Sequence, residues 1–172
     1  MKRMTRARIG GVVMLAAVGA CAPIGGATSG SAGRSVALIA GDGRTIGSVA
    51  VAADGAMTVR VAAGGLAPGM HGMHLHQVGL CTGPGFASAG GHLNPGGKQH
   101  GRDNPLGAHL GDLPNIEVGV SGGTARIAAV GAELADADGT ALVIHAKPDD
   151  YRTDPSGASG DRVACAVVGA AR

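Results

Sequence analysis

Six of the seven histidines in this chain occur at spacings typical of metal ligands, and an aspartate follows the fifth of the six by three residues. Neutral imidazole is the commonest protein ligand for zinc and copper. Six imidazoles and one carboxylate are more than a single ion needs, but they suffice for two ions that share a ligand. The sequence therefore predicts a two-metal site formed by His74, His76, His92, His100, His109, Asp112 and His145.

Four of these histidines form a set suited to copper. His74 and His76 are two positions apart in a predicted strand, so both imidazoles point to the same face, and Met73 and Leu75 point to the opposite face. A third imidazole ends a later predicted strand, and a fourth comes from a loop. The predicted copper ligands are His74, His76, His92 and His145.

The other set contains three imidazoles and one carboxylate, a tetrahedral group of donors suited to zinc. An imidazole has two ring nitrogens. A deprotonated His92 could therefore bridge the two metals. The predicted zinc ligands are His92, His100, His109 and Asp112.

The elements that must position these ligands are short strands. Glycine is frequent, helix signals are few, and short β-leaning segments are separated by Gly and Asp turns. About eight such strands predict an antiparallel sandwich or barrel. The predicted strands are 35–40, 45–52, 57–62, 71–78, 116–120, 124–130, 141–145 and 162–168.

Two long loops interrupt the strands, at 79–114 and 146–161. A structureless segment of this length is unusual in a compact domain. The first loop contains all four predicted zinc ligands, so we expect metal binding to order it in place of hydrophobic burial. With one Phe, one Tyr and no Trp in the chain, the core must be built from aliphatic side chains.

The N-terminus has the pattern of an export signal. Four positive charges are followed by an apolar run of residues 9–20, which is too short to span a bilayer. Because small residues precede Cys21, we expect a signal peptide at 1–20 and lipidation of Cys21, with ordinary cleavage as the alternative. Residues 21–33 then form a flexible tether, and the folded domain extends over 34–172.

Net charge excludes one class of function. Removal of residues 1–20 with their four positive charges changes the net charge from +2 to −2. No cluster of Lys and Arg remains after residue 8. A nucleic-acid partner is therefore not expected.

The three cysteines fit an exported protein. If Cys21 is lipidated, Cys81 and Cys165 remain, and an oxidising compartment permits them to pair. Two separate buried thiols are the alternative.

Six segments together resemble the bacterial copper,zinc superoxide dismutases, over about residues 34–171. Any one segment is a weak indication, but the ordered set of seven ligands, two cysteines and an arginine is specific. The segments are Gly-Met-His-Leu-His-Gln-Val-Gly at 72–79, Gly-His-Leu-Asn-Pro at 91–95, Lys-Gln-His-Gly at 98–101, His-Leu-Gly-Asp-Leu at 109–113, Gly-Thr-Ala-Leu-Val-Ile-His at 139–145 and Gly-Asp-Arg-Val-Ala-Cys at 160–165.

The resemblance implies an eight-stranded antiparallel Greek-key barrel with two long loops that form the metal site. It implies the copper and zinc ligands predicted above, with a catalytic Arg162 that attracts the anionic substrate. Asp149 would hydrogen-bond both a copper and a zinc histidine. A Cys81–Cys165 disulfide is implied as well, and His71 would have a structural role.

The implied reaction is the disproportionation of superoxide to dioxygen and hydrogen peroxide, with redox chemistry at copper and a proton supplied through His92. The second loop is shorter than in eukaryotic relatives and lacks their steering lysine and glutamates, so we expect altered or weaker steering. Lys147, Arg152 and Arg162 are the nearby cations.

The alternative function is a non-catalytic copper- and zinc-binding lipoprotein of the cell envelope. In either case we expect the protein in the periplasm or at the cell exterior, in contact with the membrane through its lipid only. The sequence is compatible with a monomer and with a homodimer.

Overall fold

The computed structural model describes residues 33–130, 134 and 136–171. The expected signal peptide, Cys21 and all but the last residue of the expected tether lie outside these residues. Within the described part of the chain, no helix has the length and apolar character needed to cross a membrane.

The regular secondary structure of the described residues consists almost entirely of β-strands, in agreement with the predicted all-β class. One short 3₁₀ turn, Ala87–Ala89, interrupts the first long loop. The strands are β1 (Arg34–Ala40), β2 (Thr45–Val51), β3 (Met57–Val61), β4 (Gly69–His71), β5 (Met73–His76), β6 (Ile116–Gly119), β7 (Gly122–Ile127), β8 (Thr140–His145) and β9 (Arg162–Gly169).

All the strand pairs are antiparallel and belong to one sheet, in the order β4-β6-β7-β3-β2-β1-β9-β8-β5. The two outermost strands, β4 and β5, are consecutive in the chain, so the sheet is rolled into a nearly closed barrel. The β3–β4 and β7–β8 connections skip over neighbouring strands, which gives the expected Greek-key topology.

The structure has nine strands, one more than the eight predicted, because the chain around the predicted strand 71–78 forms two short strands, β4 and β5, that are separated at Gly72. β4 pairs with β6 and β5 pairs with β8, so the chain changes its pairing partner at this glycine. A Cβ at Gly72 would lie 3.0 Å from the side chain of Ser159 and 3.2 Å from the backbone of Asp149. The close approach of the second loop therefore favours a residue without a side chain here.

The barrel interior is aliphatic, as the composition predicted. Leu38, Val49 and Val59 are fully buried in a single core cluster with side chains from the other strands. Burial of each such side chain contributes roughly 1.5–3 kcal/mol. Met73 and Leu75 also belong to this core, which confirms the predicted alternation of inward and outward residues on β5.

A smaller apolar cluster lies between the barrel and the first loop. Its centre is Phe86, the one phenylalanine of the chain, which is fully buried. The cluster also includes Cys165 of β9 and two residues of β8, Ala141 and Val143. The first loop is thus attached to the barrel by hydrophobic packing as well as by its polar groups.

The first loop also forms backbone hydrogen bonds along the free edge of β5. The Leu75 N–H donates to Gly111 O at 2.9 Å, and the Leu93 N–H donates to Leu75 O at 2.8 Å. A Cβ at Gly111 would collide with the Leu75 carbonyl oxygen. This contact brings the predicted metal ligands of the loop next to those of the strand.

Candidate metal centre

The three strand histidines of the predicted copper set lie together on the outer face of the barrel. His74 and His76 on β5 are fully buried beneath the loops, and His145 at the end of β8 is nearly so. β5 and β8 are hydrogen-bonded neighbours, with His74 opposite Val143. The ring centres of His74 and His145 are 4.8 Å apart.

One ring nitrogen of each strand histidine is held by a hydrogen bond. His76 Nδ1 donates to Gly90 O at 2.9 Å, His145 Nδ1 donates to Gly160 O at 2.9 Å, and His74 Nε2 donates to Asp149 Oδ2 at 2.8 Å. A hydrogen bond of this kind fixes the tautomer and leaves the lone pair on the other nitrogen.

The other ring nitrogen of each strand histidine is buried and has no hydrogen-bond partner among the described residues. Such an orphaned group is costly, by about 1–3 kcal/mol each. Ligand atoms of these three histidines and of His92 lie within 4.8 Å of one another. The arrangement fits a metal ion that prefers imidazole, as copper does.

The predicted zinc residues enclose a second, smaller space. The Asp112 Oδ1 atom lies 2.9 Å from His100 Nδ1, 3.2 Å from His92 Nδ1 and 3.2 Å from His109 Nδ1. The Nδ1 atoms of His92 and His109 are 3.3 Å apart. The ligands of a tetrahedral zinc ion would be about 3.3 Å apart, since its bonds are about 2.0–2.1 Å long. The donor set and its dimensions therefore fit zinc.

The other oxygen of Asp112 orients the carboxylate. Oδ2 accepts hydrogen bonds from the backbone N–H of Gly101 at 2.8 Å and from that of His109 at 3.0 Å. Oδ1 is consequently directed at the three imidazoles. Backbone N–H groups of the first loop thus fix the orientation of Asp112, the predicted acidic zinc ligand.

Asp149 connects the two groups of ligands. Its Oδ2 atom accepts from His74 Nε2 and its Oδ1 atom accepts from His100 Nε2 at 3.0 Å. The carboxylate is buried at 3 % exposure. It lies between His74 and His100, one histidine of each predicted set.

Burial keeps three of the imidazoles neutral. It lowers the pKa of His76 to about 2 and the pKa values of His92 and His145 to about 4. The charged form of a buried imidazole loses its hydration, and positive neighbours such as Arg162 add to the penalty. At neutral pH these side chains can therefore offer lone pairs to metals.

His100 differs from the other ligands. Burial opposes its charged form, but hydrogen bonds with the carboxylates of Asp112 and Asp149 outweigh that penalty and raise its pKa to about 9. The same contacts hold the pKa values of both carboxyls well below their usual range. A metal that binds His100 must displace a proton from it.

Arg162 begins β9 and pairs with His145 in the sheet register. Its guanidinium donates to two carbonyls of the first loop, from Nη1 to Phe86 O at 2.9 Å and from Nη2 to Gly90 O at 2.8 Å. Arg162 lines a surface cavity together with Gly90 and Asp161. A fixed positive charge therefore lies at an opening beside the His76 and His145 imidazoles.

The expected disulfide joins Cys81 to Cys165, with a Cα–Cα distance of 5.7 Å and a sequence separation of 84. The alternative of two separate thiols is excluded. The bond attaches the first loop to β9, close to Arg162.

His71 has the structural position expected of it. Its Nδ1 atom lies 2.7 Å from His145 O, and its Nε2 atom lies 2.9 Å from Ala67 O. Each ring nitrogen thus already contacts a protein oxygen, and His71 belongs to neither group of potential metal ligands.

Three contributors to the site were missed in the sequence. Gly90 and Phe86 contribute main-chain carbonyl oxygens. Because every residue has such a carbonyl, the residue type does not indicate this contact. Asn115 binds the backbone of Asp149, and a single asparagine beside a proline gives no indication of such a contact.

Comparisons with known proteins agree with this geometry. Residues 45–168 match the family described as copper/zinc superoxide dismutase. The superoxide dismutase-like protein YojM of Bacillus subtilis is 38% identical over 148 residues, which cover 79% of this chain and 76% of that protein. The Cu-Zn superoxide dismutase of Caulobacter vibrioides is 41% identical over 141 residues, covering 75% and 81%.

A solved structure gives the same result for the fold. The crystal structure of a SOD-like protein from Bacillus subtilis superposes with a TM-score of 0.71 at 35% identity. The superposition covers 79% of this chain and 99% of that one.

Proposed function

The chain belongs to the copper/zinc superoxide dismutase family, and from this membership we propose which residues perform its chemistry. The enzyme converts superoxide to dioxygen and hydrogen peroxide, with copper and zinc as cofactors. We assign copper to His74, His76, His92 and His145. We assign zinc to His92, His100, His109 and Asp112.

One observation carries this assignment. The buried ring nitrogens of His74, His76 and His145 that have no protein partner belong to one group of potential ligands, while the opposite nitrogen of each ring is hydrogen-bonded. A core histidine with only a structural role has a protein partner beside each ring nitrogen, as His71 does.

His92 is the residue we propose to be shared by the two metals. His92 and His74 both belong to the two groups of potential ligands, but His74 Nε2 is held by Asp149, whereas His92 Nδ1 contributes to the zinc-sized tetrahedron. This leaves Nε2 for the copper side. That nitrogen can also hold and release a proton, which the reduction of superoxide to hydrogen peroxide requires.

When bound, copper supplies one-electron redox chemistry, and zinc, which has none, supplies only charge and a fixed geometry. Arg162 attracts the superoxide anion and orients it at the cavity. Its planar guanidinium keeps its charge at all physiological pH values. Asp149 fixes the ring orientation of His74 and His100.

The experiment measures bound metal per chain together with superoxide dismutation, in the protein loaded with copper and zinc. We expect about one copper and one zinc per chain, since each group of ligands encloses one site. The His145→Ala variant should keep zinc and lose activity. Zinc binding without copper or activity in the unaltered protein would instead support a non-catalytic metal-binding lipoprotein.

We further propose that the protein is exported and anchored by a lipid on Cys21, facing the periplasm or the cell exterior. The charged and apolar pattern of residues 1–20 and the small residues before Cys21 support this. Residues 21–33 would be the tether of the domain at 34–172. Inhibition of lipoprotein processing should leave an unprocessed precursor, and normal maturation under that inhibition would contradict the proposal.

A further inference from the structure

The backbone of Asp149 is held from both sides by one side chain. Asn115 Oδ1 accepts from the Asp149 N–H at 2.9 Å, and Asn115 Nδ2 donates to Asp149 O at 3.0 Å. The two residues are 34 positions apart and belong to different loops. This two-point contact fixes the main chain from which the shared carboxylate extends.

Tyr151 contacts both members of this pair. Its Oη atom accepts from the Asn115 N–H at 2.8 Å, and its own N–H donates to Asp149 Oδ1 at 2.6 Å. The Tyr151 backbone has a φ of 60°, in the left-handed region that non-glycine residues rarely adopt. The network around Asp149 maintains this conformation.

The ring of Tyr151 also attaches the zinc-ligand loop. The Arg102 guanidinium carbon lies 3.8 Å from the ring centre, a cation–π contact, and the Asp103 N–H donates to Tyr151 O at 3.0 Å. Arg102 and Asp103 follow His100 in the chain by two and three residues. Tyr151 therefore connects the segment after His100 to the segment that contains Asp149.

We propose that Asn115 and Tyr151 are positioning residues that place the Asp149 carboxylate between His74 and His100 and so set the affinity of both metal sites. The proposal rests on the proposed function, because it requires these histidines to be ligands. Neither residue touches a metal in this scheme. Both act through Asp149, whose two oxygens each orient one ring.

The test compares Asn115→Leu, which removes both side-chain hydrogen bonds at nearly constant volume, with a matched control. Asn94→Leu is that control, because Asn94 forms the same two-point contact with the backbone of Lys98 and does not touch Asp149. Tyr151→Phe is a milder variant, which removes only the Oη acceptor and retains the ring beneath Arg102.

The first readout is the dissociation constant of each metal, measured by chelator competition on the full chain. We expect Asn115→Leu to weaken zinc and copper binding by roughly 10-fold or more, the usual size of the effect of an outer hydrogen-bond partner. Tyr151→Phe should show a smaller loss in the same direction. Asn94→Leu should stay within about 2-fold of the unaltered protein, since its partner, the backbone of Lys98, does not orient a proposed ligand as Asp149 does.

The second readout is spectroscopic. The copper electron paramagnetic resonance spectrum should change in Asn115→Leu, since the His74 ring is released, and remain unchanged in Asn94→Leu. Tyr151 is the one tyrosine and the chain has no tryptophan, so ultraviolet fluorescence anisotropy reports on Tyr151 alone. It should fall in Asn115→Leu.

The two proposals fail in different ways. If the unaltered protein binds copper and zinc and both Asn115→Leu and Tyr151→Phe match its affinities and copper spectrum, the positioning role is overturned and the proposed function stands. If Asn94→Leu loses as much metal affinity as Asn115→Leu, the loss in both variants reflects general destabilisation of the protein, and the positioning role is again overturned. An unaltered protein that binds no copper would overturn both proposals.

Discussion

His76 and Arg162 donate hydrogen bonds to the same atom, the carbonyl oxygen of Gly90, at 2.9 Å and 2.8 Å. A proposed copper ligand and the proposed substrate-attracting cation are therefore fixed relative to one another by a single main-chain group. Gly90 has a φ of 74°, a conformation that favours glycine, and a Cβ at this position would lie 3.0 Å from the Gln77 side chain. Both partners thus depend on a small residue in the first loop.

Replacement of Arg162 by alanine should lower kcat/KM for superoxide by roughly 10-fold or more, because one charge near an anion contributes about 1 kcal/mol or more of attraction. The loss should shrink at high ionic strength, since salt screens the charge. Copper content should stay constant. Arg60→Ala, which removes an exposed arginine on β3, is the control. An equal loss in that variant would show that only net charge matters.

Phe86 should influence the reaction through Arg162. Its buried ring anchors the loop while its carbonyl accepts from Arg162 Nη1. We expect Phe86→Leu to lower kcat/KM in the unaltered background, because a smaller side chain loosens that anchor, and to have little effect in an Arg162→Ala background. A double-mutant cycle measures this coupling. Additive effects of the two substitutions would contradict the coupling.

Asp149→Asn should weaken both metal sites. An asparagine has one oxygen acceptor for the two Nε2–H groups of His74 and His100, so one ring is left facing an N–H donor. We expect a loss of about 10- to 100-fold in metal affinity. Chelator competition with Asp150→Asn as the control measures it, since the Asp150 carboxylate is exposed and bonds only to nearby residues of its own turn.

The metal-free protein should lose stability in acid. The folded pKa values of His92 and His145 are about 4, below the unfolded value near 6.5, so the unfolded chain binds more protons between these limits. The contribution of His92 and His145 to the stability of the folded protein is complete above about pH 6.5 and is lost as the pH falls to about 4. His76 adds a further loss of stability toward pH 2. Urea unfolding of the metal-free protein at a series of pH values should show this slope.

His100 has the opposite effect on the pH dependence of stability. Its folded pKa is about 9, above the unfolded value, so its contribution to the metal-free protein is complete below about pH 6.5 and is lost as the pH rises through 9. The same urea series, extended to pH 10, should therefore show a decline on the alkaline side. A His100→Gln variant should remove that decline and leave the acid slope. A flat alkaline side in the unaltered protein would contradict the ion pairing.

Loss of the disulfide should destabilise the folded protein by about 4–5 kcal/mol in the chain-entropy description of a loop with a separation of 84 residues. The Cys81→Ser, Cys165→Ser double variant should also bind small anions more weakly at the copper site, because the loop that holds Arg162 is freed at one end. Equilibrium unfolding and anion titration measure the two effects separately. Unchanged anion affinity would show that packing around Phe86 is sufficient to hold the loop.

The sequence predicted most of the centre because metal ligands are defined by residue type and spacing. The alternation on β5 placed His74 and His76 on one face, and the structure bears this out. The division of the strand at Gly72 was not foreseen, because it depends on which partners the two halves find in the sheet. The contacts of Asn115 and Gly90 were missed because they involve main-chain atoms far away in the chain.

The first loop has a consequence for self-association. Its hydrogen bonds with Leu75, and the bridges His74–Asp112 and His76–His92, cover the outer edge of β5. An uncovered strand edge is a template for another chain. All four proposed zinc ligands lie in this loop, so we expect loss of zinc to loosen the cover and to expose one side of the barrel seam to intermolecular strand addition. We therefore expect metal binding to reduce aggregation of the protein, apart from any role in catalysis.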